Sequence, residues 1–577
     1  MTRRTTLVLA GILLIQSVVV ARVYTPQPHS GGDNAGYVTL AHSLLDRGAY
    51  LELWDVEEPS HTKYPPLLAV LLAGAILLGA KSWSALKLVP AFSVVLAVAF
   101  TFLWARSRRG LTFAVVVALL CGLSESVVYY SQWILSDPTF LALTMGALWA
   151  LQKSSTVGGR SGEVDSSTGG EGSQSDEEEV REEIDRWLIL GMVMVTLAYF
   201  TRSAGLPLAG STFVWLAFKK RWKALATFGL VFALPAFLWW LRGSLLGGGE
   251  YVSEFWLVDP YQPHLGTVGL VGLWERVVGN GFAYITTIIP AGVVGDGRPF
   301  MPPLGIGFGL IALVGWLRMV RKRVSVVELF LPLYLGLILL WPPAWSGDRF
   351  ALPLLPVLFF YAGSALLWLL SSFPTGIRRG ILAGFVLTLA VPAALEWNRM
   401  GAEAASCREA THAGNAGGCL FPAQGEYFAL AEWSGKRLPE GAVVTTRKPR
   451  FFYVMSGVKA QAIPLVADRD EFLNQVREGR SRYVSLDYLD AVSGYYVYPV
   501  LLERLASFCG LVEVGEERAR TQMLGILQGE TRGEIAEEEA PILPRCPGEM
   551  MRPDPMDRGP VGDWGIPLLI WSSAPRS

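Results

Sequence analysis

Long runs of apolar residues, broken by short polar or basic stretches, fill the first two thirds of the chain. They lie at about residues 5–23, 65–80, 88–104, 112–130, 138–152, 187–201, 205–218, 225–241, 281–293, 303–317, 326–342, 350–370 and 380–396. Each reads as a helix of membrane-crossing character, although several are shorter than the ~20 residues a span needs. After Glu396 the pattern changes. Short strand-like runs (Ala442 to Thr446, Ala460 to Val466, Tyr483 to Leu486, Met523 to Leu527) alternate with helical stretches (Asp468 to Glu478, Val500 to Ser507), which predicts a small α/β domain. The fold expected is therefore a polytopic α-helical membrane protein with a C-terminal extracytoplasmic α/β domain.

Basic residues orient the spans. Arg3/Arg4, Arg106/Arg108/Arg109, Lys219/Lys220/Arg221/Lys223, Arg318/Arg321/Lys322/Arg323 and Arg378/Arg379 all belong on the cytoplasmic side by the positive-inside rule. Thirteen spans would put the second cluster outside. If the runs at 65–80 and 281–293 are re-entrant or surface-lying helices on the outer side, eleven spans remain and every cluster falls inside. The apolar run from Leu7 to Val20 follows Arg3 and Arg4 but leads into Arg22 and Tyr24 rather than a small-residue cleavage site, so it reads as an uncleaved first span. Large outer loops are then expected at 24–87 and 242–302, the membrane domain at 1–396 and the outer domain at 397–577. The Ser/Gly-rich acidic insertion at 153–186 would be a cytoplasmic disordered tether, and the tail beyond Gly529 poorly ordered.

Composition removes other classes. Hydrophobic residues make up 51% of 577 and charged residues 17%, against roughly 25% in soluble chains, so a soluble enzyme and a disordered protein are excluded. A net charge of -1 leaves no polybasic surface for nucleic acid. Four of the five cysteines (Cys407, Cys419, Cys509, Cys546) follow the last hydrophobic run, a distribution open to disulfides in an oxidising compartment, with Cys407–Cys419 as one pair, or to free buried thiols.

A transporter would place ionisable residues mid-span. Here the informative polar residues, Asp33, Lys63, Asp137, Arg202, Asp348 and Arg349, gather at outer span ends and in the first outer loop. Asp33 opens a helical stretch whose Tyr37, Leu40, Ala41, Leu44 and Leu45 suggest an amphipathic helix on the membrane surface, and it is either that helix's N-cap or a functional carboxylate.

Asp33 in the first outer loop, Lys63-Tyr64-Pro65-Pro66-Leu67, and Leu135-Ser136-Asp137-Pro138 together resemble the GT-C superfamily of membrane glycosyltransferases. Within it the sequence is most similar to the protein O-mannosyltransferase and aminoarabinose-transferase-like families. Tyr199-Phe200-Thr201-Arg202, Asp348-Arg349-Phe350-Ala351-Leu352-Pro353, Glu432-Trp433 and Leu438-Pro439-Glu440-Gly441-Ala442-Val443-Val444 agree, so that the resemblance covers residues 1–470. Two departures stand out: Asn34 follows Asp33 where the families often carry a second acid, and Thr62 stands where Glu often precedes the Lys.

The resemblance implies an inverting transferase at the extracytoplasmic membrane face; the membrane expected is a bacterial plasma (inner) membrane, with the endoplasmic reticulum as the alternative. Its donor is a sugar on a polyprenyl phosphate; its acceptor is a protein, lipid or polysaccharide. It implies Asp33 as the catalytic base and Lys63, Arg202 and Arg349 as donor-phosphate ligands. Asp137 would hold a divalent cation (Mg or Mn), orient the acceptor, or cap its helix with Pro138. His61 and Tyr64 are further site candidates, His29 and His42 ordinary neighbours. Asp348 is expected to pair with Arg349 or another basic residue. The rival readings are a transporter or flippase for lipid-linked glycans and a non-catalytic assembly protein.

Overall fold

A computed structural model describes residues 2–29, 31–157, 184–413, 419–515, 521–527 and 543–552. Most of the acidic insertion and of the C-terminal tail lies outside these residues. The helices are α1 Arg3–Val23, α2 Gly32–Asp46, α3 Leu67–Leu77, α4 Trp83–Arg108, α5 Leu111–Leu123, α6 Glu125–Tyr130, α7 Ser136–Val157, α8 Arg186–Thr201 and α9 Leu206–Phe218. They continue with α10 Trp222–Leu245, α11 Glu250–Trp256, α12 Leu270–Val294, α13 Met301–Lys322, α14 Val326–Leu340, α15 Asp348–Leu369, α16 Thr375–His412 and α17 Pro422–Arg437. Among the described residues seven of them (α1, α4, α10, α12, α13, α15, α16) are long and apolar enough to cross a membrane. Length and composition thus single out seven helices where eleven spans were expected, because α5, α8, α9 and α14 are apolar but only 10–17 residues long and α7 is more polar at both ends.

Two of the expected runs behave differently from a simple span. The 112–130 run breaks at Ser124, which takes an extended conformation between α5 and α6. The run at 281–293 sits within α12, 25 residues long, yet both ends of α12 stay at one end of the bundle. Arg276 donates to the Phe255 carbonyl at 2.6 Å, Asn280 donates to the Trp341 carbonyl beyond α14 at 2.8 Å, and the Gly292 carbonyl accepts from Ser126 at 2.9 Å. Leu270, Val271, Trp274, Val278 and Phe282 form its exposed apolar stripe, the pattern of a helix lying in an interface.

The first outer loop departs most from expectation. α2 is no surface helix: Asn34 through Ser43 are all buried, because α3 covers one side and the C-terminal domain the other. That domain is built on a five-stranded sheet of order β2-β1-β3-β5-β4, with β1 Val443–Thr446, β2 Lys459–Ala462, β3 Tyr483–Leu486, β4 Phe508–Val514 and β5 Thr521–Ile526. β2, β1 and β3 are parallel and β5 and β4 antiparallel. α18 Pro449–Ser456, α19 Arg469–Glu478 and α20 Ala491–Glu503 connect them. The strands at 442–446 and 483–486 and the helix at 468–478 lie where the sequence pattern puts them; β4 is a strand that the pattern does not mark, and the helix expected at 500–507 runs from 491 to 503. Gly457 in the left-handed region (φ 70°) ends α18, as a Cβ-free residue allows. Disulfides join Cys407 to Cys419 and Cys509 to Cys546, and Cys121 is a buried thiol.

Candidate active site

The site forms where the start of α2, the loop before α3, the starts of α7 and α15 and the α18 region of the C-terminal domain meet. Asp33 is not the cap of α2. Gly31 is, and Asp33 stands in the first turn, where the helix dipole favours a carboxylate. Its oxygens are taken separately: Tyr64 Oη donates to Oδ1 at 2.7 Å and Arg349 Nη1 to Oδ2 at 3.1 Å. The side chain keeps 36% exposure and Arg349 30%, so the pair is reachable. Burial raises the Asp33 pKa, but Arg349, the Tyr64 hydroxyl and Arg450 outweigh it and hold the carboxyl at about 2.

Asn34, where the resembling families carry a second acid, serves the fold. Its Oδ1 accepts the Ile134 amide at 2.8 Å and its side chain is fully buried, so it offers nothing to a ligand at Asp33.

Tyr64 stands at the centre of a ring of polar contacts. Arg450 Nη1 donates to its hydroxyl at 2.7 Å and Arg450 Nη2 lies 3.7 Å from Glu52 Oε1, which also meets His61 Nδ1 at 2.6 Å. His61 Nε2 accepts the Tyr64 amide at 2.7 Å, which leaves Nδ1 as the donor to Glu52. Tyr37 stacks on Tyr64 with ring centroids 5.1 Å apart, and burial pushes its phenol up to about 12. His61 is thus a structural prop for Tyr64, whereas His42 faces Asp46 on the far side of α2 and His29 stacks on Trp133.

A second carboxylate lies close by. Asp137, in the first turn of α7 with Pro138 behind it, is buried to 3% exposure and ion-paired with Arg202. Arg202 also stacks on Phe350, 4.3 Å from the ring centroid. Burial and the neighbouring Arg349 guanidinium both push the Arg202 pKa down, so the two cations repel each other, a repulsion that an anion beside them would relieve. Lys63 pairs with Glu254 at 2.6 Å and lies over Tyr251 (5.4 Å) and Trp345 (5.5 Å). Tyr251 in turn faces both Arg202 and Asp33.

The structure therefore gathers Asp33, Lys63, Tyr64, His61, Asp137, Arg202 and Arg349 at one end of the bundle. Asp348 departs from expectation. It accepts the Tyr130 hydroxyl at 2.8 Å while Arg349 turns to Asp33, because adjacent residues in the first turn of α15 point in different directions. Asp33 and Asp137 are each paired with a guanidinium, and no group of three His, Cys, Asp or Glu side chains placed to hold a metal ion occurs among the described residues. Arg450, Glu52, Tyr37, Tyr251 and Glu254 went unpredicted. The cluster Arg447-Lys448-Pro449-Arg450 was the available signal, hidden by lying in a domain with no catalytic motif.

No protein-family model matches the sequence, and no curated protein does. Solved structures do match. The oligosaccharyltransferase of Archaeoglobus fulgidus, crystallised with zinc and sulfate, superposes with a TM-score of 0.53 at 14% identity, over 89% of this chain and 72% of that one. ArnT from Cupriavidus metallidurans in the apo state gives 0.52 at 14% identity, over 89% of this chain and 97% of that one. Both are GT-C glycosyltransferases, and this chain shares their fold.

Proposed function

We propose that the chain transfers a sugar, with inversion, from a polyprenyl-phosphate donor to a nucleophile at the extracytoplasmic membrane face. The observation that carries this is the open ion pair Asp33–Arg349, flanked by Arg202 and Lys63. It sets a base beside cations suited to a phosphate, at one end of a bundle whose outer surface is apolar.

The reaction is an in-line displacement at the anomeric carbon. Asp33 takes the proton of the acceptor hydroxyl, the acceptor oxygen bonds to the anomeric carbon, and the bond to the phosphate oxygen breaks. The lipid phosphate departs as an anion held by Arg349, Arg202 and Lys63, with bidentate guanidinium contacts suited to its oxygens. A carboxylate with a pKa of about 2 is a weak base. Donor binding supplies the remedy: a phosphate that draws Arg349 off Asp33 removes the main cation depressing it and raises its basicity when the acceptor arrives. No step needs a metal ion.

The test is sugar transfer by purified protein in nanodiscs, supplied with undecaprenyl-phosphate sugars and a panel of acceptors. Release of undecaprenyl phosphate that depends on Asp33 and persists in EDTA supports the proposal. Translocation of the donor across vesicles without transfer, unaffected by Asp33→Ala, would replace it with a flippase.

A further inference from the structure

The C-terminal domain reaches into the site through one side chain. Arg450 stands in the first turn of α18, directly after β1, and its guanidinium touches Tyr64, 386 residues away in the chain. Its route is cleared by Gly36 of α2: a Cβ there would lie 3.2 Å from Arg450 Cδ and 3.4 Å from Tyr64 Cε2. Glu52 holds the other face of the guanidinium, and both side chains are largely buried, with 20% and 17% exposure. Phe451 and Phe452, which follow, are fully buried between α2, α3, α17 and the sheet, so the domain cannot shift without moving Arg450.

We propose that Arg450 is a positioning residue of the Asp33 site, through which the C-terminal domain fixes the orientation and basicity of that carboxylate by way of Tyr64. The chain Arg450–Tyr64–Asp33 is continuous, with 2.7 Å at each link. Tyr64 donates its single proton to Asp33, and it does so because Arg450 supplies the hydrogen bond that its oxygen accepts. Losing Arg450 frees the phenol to rotate and removes a cation from the neighbourhood of Asp33. The other groups that face Asp33 are Arg349 from α15, Lys448 from the turn before α18, Tyr37 from α2 and Tyr251 from α11. None of them holds the Tyr64 hydroxyl. The effect on turnover rests on the proposed transfer reaction; the effect on Asp33 itself does not.

Two readouts on the full-length protein in nanodiscs separate these. The first is the infrared carboxyl band of Asp33, assigned by its absence in Asp33→Asn and followed against pH without substrate. In Arg450→Gln the midpoint should rise by about one unit or more, Arg450→Lys should restore most of it, and Arg469→Gln, elsewhere in the domain, should leave it alone. The second is transfer from an undecaprenyl-phosphate sugar, where Arg450→Gln should lower kcat about tenfold or more with little change in donor KM, the lost orientation of the carboxylate outweighing its higher basicity, and move the acid limb of the pH profile upward with the midpoint. Should Arg450→Gln fail to fold, Tyr64→Phe removes the same link from its middle and should likewise raise the Asp33 midpoint and lower kcat. A folded Arg450→Gln protein, or in its place a folded Tyr64→Phe protein, with an unmoved Asp33 midpoint would overturn the proposal. A shifted midpoint in a protein that transfers no sugar from any donor would uphold the positioning role and sink the proposed function instead.

Discussion

Two Arg–carboxylate–Tyr clusters sit at opposite ends of the bundle. At one end, Arg108 closes α4, its Nη2 lies 2.6 Å from Glu328, and the Tyr361 hydroxyl donates to the same Glu328 oxygen at 2.8 Å. Glu328 also closes the capping box of α14 with Ser325. Its side chain has no exposure, Arg108 11%. At the other end, Asp33, Arg349 and Tyr64 bring together the same three kinds of group, a carboxylate, a guanidinium and a phenol, but Asp33 and Arg349 keep about a third of their surface open. The Glu328 cluster ties neighbouring helices together, and both carboxylate oxygens are spent locally. The Asp33 cluster joins α2, the loop before α3 and α15, receives Arg450 from another domain, and leaves room for a ligand to replace one partner. Residue types alone do not separate a strut from a site. Exposure does, together with whether the partners come from one junction or several.

The sharpest way to break the comparison is at Arg349. Arg349→Gln should cost about 10²–10³-fold in kcat/KM for a polyprenyl-phosphate sugar, from loss of a charge that meets the phosphate, with melting temperature little changed. Glu328→Ala should do the reverse: leaving Arg108 buried without its carboxylate should cost about 3–5 kcal/mol of stability, read as a lower melting temperature in detergent, with donor KM unchanged in the protein that remains folded. A switch of these phenotypes would reverse the two assignments.

Glu125 offers a smaller effect. It lies in α6, and burial first, then Asp348, Asp296 and Glu396, raise its pKa to about 8. The folded protein keeps this proton where the unfolded chain loses it, so stability falls as pH rises from about 4.5 to 8. Glu125→Gln should remove that slope and raise stability at pH 8 by up to a few kcal/mol, measurable as thermal melting against pH. At the small end, Lys436→Ala, which breaks an i,i+4 pair with Glu432 on α17, should change stability by less than about 0.5 kcal/mol; a larger loss would mean that α17 needs more than its buried face of Tyr427, Phe428 and Leu430.

The sequence carried much of this. Apolar runs place nearly every helix, strand-like runs place the parallel half of the sheet, and Asp33, Lys63, Asp137, Arg202 and Arg349 converge as their position at span ends implied. What was illegible depends on distance in the chain. α2 reads as amphipathic because its polar face looks like a solvent face, but that face is covered by α18, some four hundred residues on, and periodicity cannot tell a protein partner from water. Arg450 is missed for the same reason: a basic turn in a sheet domain has no local mark of where it docks. Asp348 and Arg349, neighbours in sequence, suggest a pair, but side chains one residue apart in a helical turn do not face each other.

The claim that most depends on all of this is that Asp33 accepts the proton in sugar transfer. The direct measurement compares wild type with a folded Asp33→Asn protein in nanodiscs, reading undecaprenyl-phosphate binding and sugar transfer in parallel. The account predicts transfer reduced about 10²–10⁴-fold with lipid-phosphate binding kept or tightened, since Arg349 is then free of its carboxylate. Equal transfer by the two proteins would contradict it.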